Sequence, residues 1–309
     1  MRLFVTGASG FIGSAVVTEL RAAGHQVIGL ARSDASADRL RALGAEVVSG
    51  FLTDLETLRS AAAGSDGVIH LAYDHDGPYQ QAADSDRMAI EVLGEALAGT
   101  DRPLVVTSGT LVLPTGRVGT EADTPDGAAP AAARAGGEHT ALMFTDRGVR
   151  VSVVRLAPCV HERVKRGFVG GLIDAAERTG FAGYLGDGSQ RWPALHRQDA
   201  ATLYRLATER APAGSVLHGV GEEGVTLRAI AELIADRLDL PVRRVAADQA
   251  ANHFGWLATL AGVDAPASSI ATRTLLDWEP THAGLLDDLA HGDFFADVPH
   301  TQTPQGRPR

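Results

Sequence analysis

The chain is 309 residues long and carries a formal net charge of −10 at pH 7, with a sequence pI near 5.5. Because it is acidic and contains no basic run, it lacks the electrostatic surface that nucleic-acid binding needs. No apolar stretch is long enough to predict a membrane span, and the first residues do not resemble a secretory signal. We therefore expect a cytoplasmic protein whose partners are neither nucleic acid nor membrane.

Two residue types are nearly absent, and each absence limits the chemistry. Cys159 is the only cysteine, so the chain can form neither an internal disulfide nor a metal site built from thiolates alone. A reducing compartment fits this usage, and we predict no metal site. Lys165 is the only lysine, so arginine supplies nearly all of the positive charge.

Strand and helix patterns alternate along the first half of the chain. Each predicted strand is a short Val/Ile/Leu run without polar alternation, as expected for parallel strands covered on both faces. The alternation predicts βαβ units and a doubly wound α/β sheet. The predicted strands are 2–6, 26–30, 46–49, 67–70, 103–107 and 150–155. The predicted helices are 14–23, 35–42, 55–63, 81–98 and 131–147.

The regular alternation ends near Pro158, where a smaller and mostly helical lobe is predicted to begin. We assign residues 1–157 to a dinucleotide-binding domain and residues 158–309 to a substrate-binding lobe with a C-terminal tail. The polar tail with its prolines is typical of disorder. The remaining predicted elements are helices at 167–183, 226–238 and 248–260, a return strand near 214–220 and the disordered tail at 297–309.

A glycine-rich turn joins the first strand to the first helix. It reads Gly7-Ala8-Ser9-Gly10-Phe11-Ile12-Gly13. Gly7 permits a tight turn, Gly10 lets the backbone approach a pyrophosphate, and Gly13 lets the helix pack closely on the strand. The helix N-terminus supplies free N–H groups and a positive dipole for that pyrophosphate. The position between a strand and an amphipathic helix predicts a dinucleotide site formed by these residues.

The end of the second strand indicates which dinucleotide is bound. An NAD enzyme usually has an acidic residue there that accepts from the ribose 2′-hydroxyl. This chain has Arg32 and Ser33, which suit a 2′-phosphate and predict NADP; the alternative is an exposed surface arginine. Asp34 is expected to cap the following helix. Walls of the cofactor site are predicted at Phe51, Leu52, Leu71 and Ala72, although plain packing at the strand ends explains these positions equally well.

Polar residues follow the fourth and fifth strands, at the sheet edge where ligands bind in such folds. The first group reads Tyr73-Asp74-His75-Asp76-Gly77-Pro78-Tyr79. His75 and Tyr79 are its candidate proton donors, while an exposed turn is the alternative. The second group contains Ser108 and Thr110, whose hydroxyls are candidates for binding a substrate carbonyl or for capping the sheet edge.

Four further motifs stand in a fixed order along the chain. They read VIHLA at 68–72, VVTSGT at 105–110, VVRLAP at 153–158 and RWPALHRQDA at 191–200. Together with the glycine turn, they resemble the extended short-chain dehydrogenase/reductase superfamily in its NAD-dependent epimerase/dehydratase branch. This resemblance implies a Rossmann domain with a C-terminal substrate lobe, and a homodimer formed through helices 81–98 and 131–147. It also implies nicotinamide contacts from Pro158 and Val160 and substrate contacts from His161 and Trp192.

The chain departs from that family at the catalytic pair. The family uses a Tyr followed four residues later by a Lys, whereas we place Arg134 and Glu138 at these two positions. The only lysine has His161, not a tyrosine, four residues before it. Arg134 either anchors an acidic substrate group or pairs with Glu138. Cofactor binding is unaffected by this departure, but the proton donor must be a different group.

Three functions follow as hypotheses. The first is an NADP-dependent oxidoreductase that acts on a small carbonyl or alcohol substrate with a non-standard proton donor. The second is a catalytically silent NADP-binding sensor or scaffold. The third is an epimerase or dehydratase, which depends even more on the missing pair.

Overall fold

A seven-stranded parallel sheet forms the centre of the protein in the computed structural model, which describes residues 1–75 and 77–295. The strand order is β3-β2-β1-β4-β5-β6-β10, and every neighbouring pair runs parallel. The order reverses between β1 and β4, which opens a crevice at the carboxyl edge of the sheet. The strands are β1 Arg2–Thr6, β2 Gln26–Ala31, β3 Glu46–Ser49, β4 Gly67–His70, β5 Pro103–Gly109, β6 Arg150–Leu156 and β10 Ser215–Gly219.

Helices cover both faces of this sheet, which confirms the predicted doubly wound α/β class. They are α1 Phe11–Ala22, α2 Asp34–Ala42, α3 Leu55–Ala63, α4 Tyr79–Leu97, α5 Ala135–Met143 and α7 Arg197–Arg210. The helix predicted at 131–147 is shorter than expected. Its α-helical part has nine residues and is flanked by 3₁₀ turns at Ala132–Arg134 and Thr145–Arg147. Tight turns of this kind commonly end α-helices.

The smaller lobe contains strands that the sequence does not predict. A three-stranded sheet is formed by β7 Cys159–His161, β9 Arg191–His196 and β11 Glu222–Thr226, and a two-stranded sheet by β8 Ala182–Leu185 and β12 Val242–Val245. Its helices are α6 Gly167–Thr179, α8 Leu227–Leu238, α9 Ala250–Phe254 and α11 Leu285–His291, whereas α10 Ile270–Leu276 packs against β10 and α7.

Two helices of this lobe end earlier than predicted, and glycine conformation explains both. The helix predicted at 167–183 ends at Thr179 because Gly180 takes φ = +76° as its left-handed cap. The helix predicted at 248–260 is interrupted by Gly255, where φ is +57°. A short 3₁₀ turn, Gly255–Leu257, follows α9 instead of a continued helix.

The later part of the chain also builds the central sheet. Strand β10 pairs with β6 at the position where the sequence predicts a return strand. Helix α7 packs against α1 and buries Leu203 and Tyr204 in the main hydrophobic core. The proposed division of the chain between residues 157 and 158 stays a prediction.

Two remaining sequence predictions concern the C-terminal tail and the location of the protein. The tail predicted to be disordered, 297–309, lies outside the described residues. Within the described ranges, no helix is both long and apolar enough to cross a membrane. The predicted cytoplasmic location stays a prediction.

Candidate functional site

The glycine-rich turn has the shape of a phosphate cradle. Gly7 takes φ = +66°, and a Cβ atom there would lie 2.7 Å from the Ala72 backbone nitrogen. A Cβ on Gly13 would lie 2.1 Å from the Gly7 carbonyl oxygen. A Cβ on Gly10 would meet only that same oxygen, at 3.1 Å, and would otherwise enter open space. Gly7 and Gly13 are therefore required by packing, whereas the smallness of Gly10 keeps space open outside the turn.

Helix α1 begins directly after this turn. No side chain caps its N-terminus, so the first-turn N–H groups are available to an anion. Ser9, Phe11 and Ile12 are partly buried around the turn, and Ile12 packs against the main core. The residues predicted to bind the pyrophosphate thus surround one cradle.

An arginine from another part of the chain reaches the same helix end. The Arg197 guanidinium lies 4.8 Å from the Phe11 ring centroid and donates to the Ser14 hydroxyl at 2.6 Å. It also pairs with Glu162. Sequence analysis missed Arg197, because its contact with Ser14 spans 183 residues and no local pattern indicates it.

The predicted adenosine end of the site lies after β2 and β3. Arg32 is exposed, and it makes no hydrogen bond or ion pair within the described part of the chain. Ser33 is the N-cap of α2 and accepts from the Ser36 amide at 3.3 Å. The expectation that Asp34 caps this helix is therefore wrong, since Asp34 is its first helical residue. Leu52 is half-buried after β3.

A buried chain of hydrogen bonds fixes the end of β4 beside the glycine turn. The Thr6 hydroxyl is 2.8 Å from His70 Nδ1, and His70 Nε2 is 3.2 Å from Asp86 Oδ1. Thr6 also accepts from the Ala72 amide through its hydroxyl at 3.2 Å and from the Leu71 amide through its carbonyl at 3.3 Å. Leu71 and Ala72 are thereby held at the crevice.

Individual side-chain atoms without a hydrogen-bond partner occur near the carboxyl edge of β4 and β5. Within the described residues, four buried atoms there have no hydrogen-bond partner. They are Tyr73 Oη, Ser108 Oγ, Thr110 Oγ1 and Arg134 Nε. We call these four residues the edge cluster. Buried polar groups are rarely left unpaired, because each costs roughly 1–3 kcal/mol, so these four atoms are candidates for hydrogen bonds to a polar ligand.

Arg134 links Tyr73 to the backbone of β5. Its Nη2 donates to the Thr107 carbonyl at 3.1 Å, and its guanidinium carbon lies 4.2 Å from the Tyr73 ring centroid. The Thr107 hydroxyl donates to the His70 carbonyl at 2.7 Å and lies 2.7 Å from the Tyr204 hydroxyl. The backbone of β5 therefore positions the cation over the aromatic ring.

The two predicted proton donors lie at the periphery of the edge cluster. His75 is exposed, and its ring centroid is 5.1 Å from that of Tyr73. Tyr79 is 46% exposed at the start of α4. Burial raises the pKa of Tyr79, and it raises the pKa of Tyr73 to about 12 even though Arg134 opposes the shift. Asp76, between these residues in the sequence, lies outside the described residues.

Glu138 is not part of the crevice. Its carboxylate accepts from Arg155 Nε and Nη2, with the shortest contact 2.7 Å, and the two side chains are 2% and 3% exposed. The hypothesis that Arg134 pairs with Glu138 is therefore wrong. Glu138, which stands where the family has its catalytic lysine, has its carboxylate occupied by this buried ion pair.

The predicted nicotinamide and substrate residues of the lobe lie in different surroundings. Pro158 and Val160 are partly buried after β6, and Cys159 between them is buried, which raises its pKa. His161 is 3% exposed and lies 2.7 Å from Asp288 through Nδ1. Trp192 is fully buried, with its indole N–H donated to the Val263 carbonyl at 3.2 Å. A direct substrate contact by Trp192 is therefore inconsistent with this structure.

His161 lines a polar cavity of about 130 Å³ in the lobe, together with His196, Asp199, Glu222 and His282. No residue of the edge cluster lines it. Burial lowers the pKa of His161 and of His196, although Asp288 opposes both shifts. The role predicted for His161 in substrate binding stays a prediction.

Three of these residues bring potential metal ligands together. Ligand atoms of His196, Asp199 and His282 lie within 4.8 Å of one another. The two histidine rings are stacked with planes 6° apart, so their in-plane lone pairs do not converge on one point. Asp199 accepts from the Thr281 amide, and it both accepts from the His282 amide and lies 2.7 Å from Nδ1 of the same residue. These hydrogen bonds join the loop that contains Thr281 and His282 to α7, and a metal bound by Asp199 would have to displace them.

Comparison with known proteins identifies relatives of the whole chain. The sequence profile of the NAD-dependent epimerase/dehydratase family matches residues 3–218. An uncharacterized protein of Schizosaccharomyces pombe is 48% identical over 96% of this chain and all of its own length. A Stigmatella aurantiaca enzyme, 4-hydroxy-2-methyl-3-oxo-4-farnesyl-3,4-dihydroquinoline-1-oxide ketoreductase, is 29% identical over 95% of this chain and 91% of its own.

A solved structure shows the same fold over nearly the full length. The structure of MoeE5 in complex with UDP-glucose and NAD superposes with a TM-score of 0.75 and 25% sequence identity. The match covers 94% of this chain and 96% of MoeE5. The predicted resemblance is therefore confirmed at the level of fold and superfamily.

Proposed function

The chain belongs to the NAD-dependent epimerase/dehydratase family of the extended short-chain dehydrogenases/reductases, and we propose that it is an NADP-dependent oxidoreductase for a small carbonyl or alcohol substrate. The edge cluster carries this proposal. Its four unpaired polar atoms suit a substrate oxygen, which accepts hydrogen bonds as a carbonyl and both donates and accepts them as an alcohol. The similarity to a ketoreductase supports the same class of reaction.

The residues around the glycine turn fit a dinucleotide. The open space outside Gly10 and the uncapped N-terminus of α1 would hold the pyrophosphate. Arg32 would bind the ribose 2′-phosphate, and Pro158 and Val160 would lie against the nicotinamide. When bound, the nicotinamide would supply a hydride to the substrate carbon or accept one from it.

The hydroxyls of Ser108 and Thr110 would orient the substrate in the proposed reaction. Both are buried without a partner, so binding a carbonyl oxygen would satisfy groups that are otherwise unpaired. The chain itself thus contributes orientation, hydrogen bonds and a proton donor.

Calorimetric titration tests the choice of cofactor. We expect the protein to bind NADPH more tightly than NADH, because Arg32 is exposed and otherwise unpaired after β2. Arg32→Ala should weaken NADPH binding about 10- to 150-fold, the effect of losing a charge-assisted hydrogen bond, and leave NADH binding unchanged. Arg41→Ala is a matched control, since Arg41 is exposed on α2 and paired with Asp38. Equal affinities for the two cofactors would refute the NADP preference.

A panel of aldehydes and ketones tests the reaction class, with oxidation of NADPH followed by absorbance. We expect the wild type to reduce at least one compound of the panel. Ser108→Ala and Thr110→Val should each lower the rate of that reaction. Tight NADPH binding without oxidation over the whole panel would refute the proposal in favour of a silent NADP-binding protein.

We also propose that the protein is a homodimer formed through α4 and α5. These helices pack on each other, and Met88 and Met143 on them are 40% and 59% exposed. Sedimentation of the wild type should give a dimer, and the pair of changes Met88→Glu and Met143→Glu should give a monomer. A monomeric wild type would overturn this proposal.

A further inference from the structure

We propose that the Tyr73 hydroxyl is the proton donor of the carbonyl reduction, and that Arg134 is the positioning residue that holds and polarises it. This inference rests on the proposed function and names the group that replaces the absent family pair. Sequence analysis assigned this role to His75 or Tyr79, and the structure favours their neighbour.

The placement of Tyr73 separates it from the other tyrosines of the chain. All four tyrosines lie in the described residues, and Tyr73 alone has a buried hydroxyl without a hydrogen-bond partner. Tyr204 is fully buried, but its hydroxyl is 2.7 Å from that of Thr107. Tyr79 is half exposed, so water competes for its hydroxyl. Tyr184 lies in the small lobe on β8.

Arg134 fixes the ring of Tyr73 from one side. The guanidinium is anchored to the Thr107 carbonyl and lies 4.2 Å from the ring centroid. Ser108 follows Thr107 directly in β5, so the anchor ties Arg134 to the strand that carries the Ser108 hydroxyl. The arrangement therefore fixes a cation over the phenol ring and anchors that cation to the backbone of β5.

The electrostatic surroundings suit a group that must donate and then regain a proton. Burial favours the neutral phenol, so Tyr73 remains protonated until the reaction takes place. The Arg134 charge favours the phenolate that is left after transfer, while Tyr79, Asp86 and Asp74 disfavour it. The His75 ring also faces Tyr73. Arg134 is thus the positive group that would replace the family's lysine in function.

The step conserves atoms and charge. The bound cofactor would supply a hydride to the substrate carbonyl carbon, and the carbonyl π bond would break toward oxygen. The Tyr73 O–H bond breaks as a new O–H bond forms on the substrate oxygen, which yields the alcohol and a phenolate. Solvent then reprotonates the phenolate, with His75 at the exposed side of the ring.

Removal of the single hydroxyl tests the donor. Tyr73→Phe should lower kcat about 10²- to 10⁴-fold on a carbonyl that the wild type reduces, the usual contribution of a positioned acid. NADPH affinity and the thermal midpoint should not change, because the hydroxyl has no protein partner to lose. Tyr184→Phe removes a phenol oxygen far along the chain and should keep the wild-type rate. Full turnover by Tyr73→Phe, or loss of turnover only in Tyr79→Phe, would overturn the inference.

A second measurement does not depend on turnover. A fluorotyrosine placed at position 73 allows its ionisation to be followed by ¹⁹F NMR during a pH titration of the folded protein. Arg134→Met should raise the pKa of that phenol, and Arg134→Lys should largely restore it, because lysine replaces the charge. Arg39→Met on α2 is the control and should leave the titration unchanged. If Arg134→Met does not move the titration, the positioning role is refuted.

These results separate this inference from the function on which it rests. If the wild type reduces a carbonyl but Tyr73→Phe does so equally well, the oxidoreductase function stands and the donor assignment fails. If no carbonyl is reduced although NADPH binds, the proposed function fails and the donor assignment fails with it. The ¹⁹F titration still decides separately whether Arg134 polarises Tyr73.

Discussion

The buried pair of Glu138 and Arg155 allows a quantitative test of the structure. The Arg155 side chain is 3% exposed and donates to both carboxylate oxygens, and its Nη1 donates to the Asp123 carbonyl at 2.9 Å. Glu138→Gln keeps the size of the side chain but leaves the guanidinium charge buried without a counter-charge. Breaking a buried pair in this way costs about 3–5 kcal/mol.

This cost can be expressed as a shift in the thermal midpoint. The entropy of unfolding is about 2.1 cal/mol/K per residue, so the 309 residues give about 0.65 kcal/mol/K. Glu138→Gln should therefore lower the midpoint in calorimetry by roughly 5–8 °C. Glu232→Gln breaks the pair of Arg228 and Glu232, which are 56% and 50% exposed, and should cost less than about 1 kcal/mol.

A double variant identifies the source of the loss. Glu138→Met with Arg155→Met removes both charges, and such apolar replacements of a buried pair are often neutral or stabilising. It should therefore recover most of the stability lost in Glu138→Gln. A midpoint for Glu138→Gln within 1–2 °C of the wild type would refute the reasoning. A Glu138→Gln protein that keeps its stability but loses turnover would also refute it, since that result would point to a catalytic rather than a structural role for Glu138.

Two further predictions follow from the turn and from the buried histidines. Gly10→Val should abolish NADPH binding while the protein stays folded. Gly13→Val should prevent folding, because its Cβ would lie 2.1 Å from a backbone oxygen. Circular dichroism measures folding and calorimetry measures NADPH binding; saturation of Gly10→Val with NADPH would contradict the prediction for Gly10. His161 and His196 have lowered pKa values through burial, so the unfolded chain takes up their protons first. The free energy of unfolding should accordingly fall as the pH drops below the ordinary histidine pKa near 6.5, and urea denaturation at pH 7.5 and pH 5.5 that shows no loss would contradict it.

Local patterns predicted the central sheet well. The predicted bounds of β1, β3 and β4 match those of the structure, because short apolar runs between glycines and polar residues define buried parallel strands. The strands of the small lobe were not predicted, because exposed strands need not contain an apolar run. In β12, for example, Val242, Arg243 and Arg244 are exposed, so the strand carries no apolar run to recognise.

The candidate site was predicted in part. Ser108, Thr110 and Arg134 were named from the sequence; each has a buried atom without a hydrogen-bond partner, and Arg134 is anchored to Thr107, the residue before Ser108. The alternative that Glu138 pairs with Arg134 was wrong. The i, i+4 spacing suggests a partner one helical turn away, whereas the carboxylate pairs with Arg155 on β6. Tyr73 was not predicted as a proton donor, whereas His75 and Tyr79 in the same segment were. Its position directly after the Leu71-Ala72 step was the available signal.

Strand β10 and helix α7 have a consequence for how this molecule folds. The chain leaves the central sheet after β6, builds the first part of the lobe and returns to contribute α7 and β10. After a second passage through the lobe it returns again, and α10 packs against β10 and α7. A fragment that ended at residue 157 would lack the edge strand and would expose the core that Leu203 and Tyr204 cover. Segments of the central-sheet domain and of the smaller lobe therefore alternate along the chain, and we expect the two parts to unfold in one cooperative transition. In synthesis on the ribosome, the sheet cannot be completed until residue 219 has emerged.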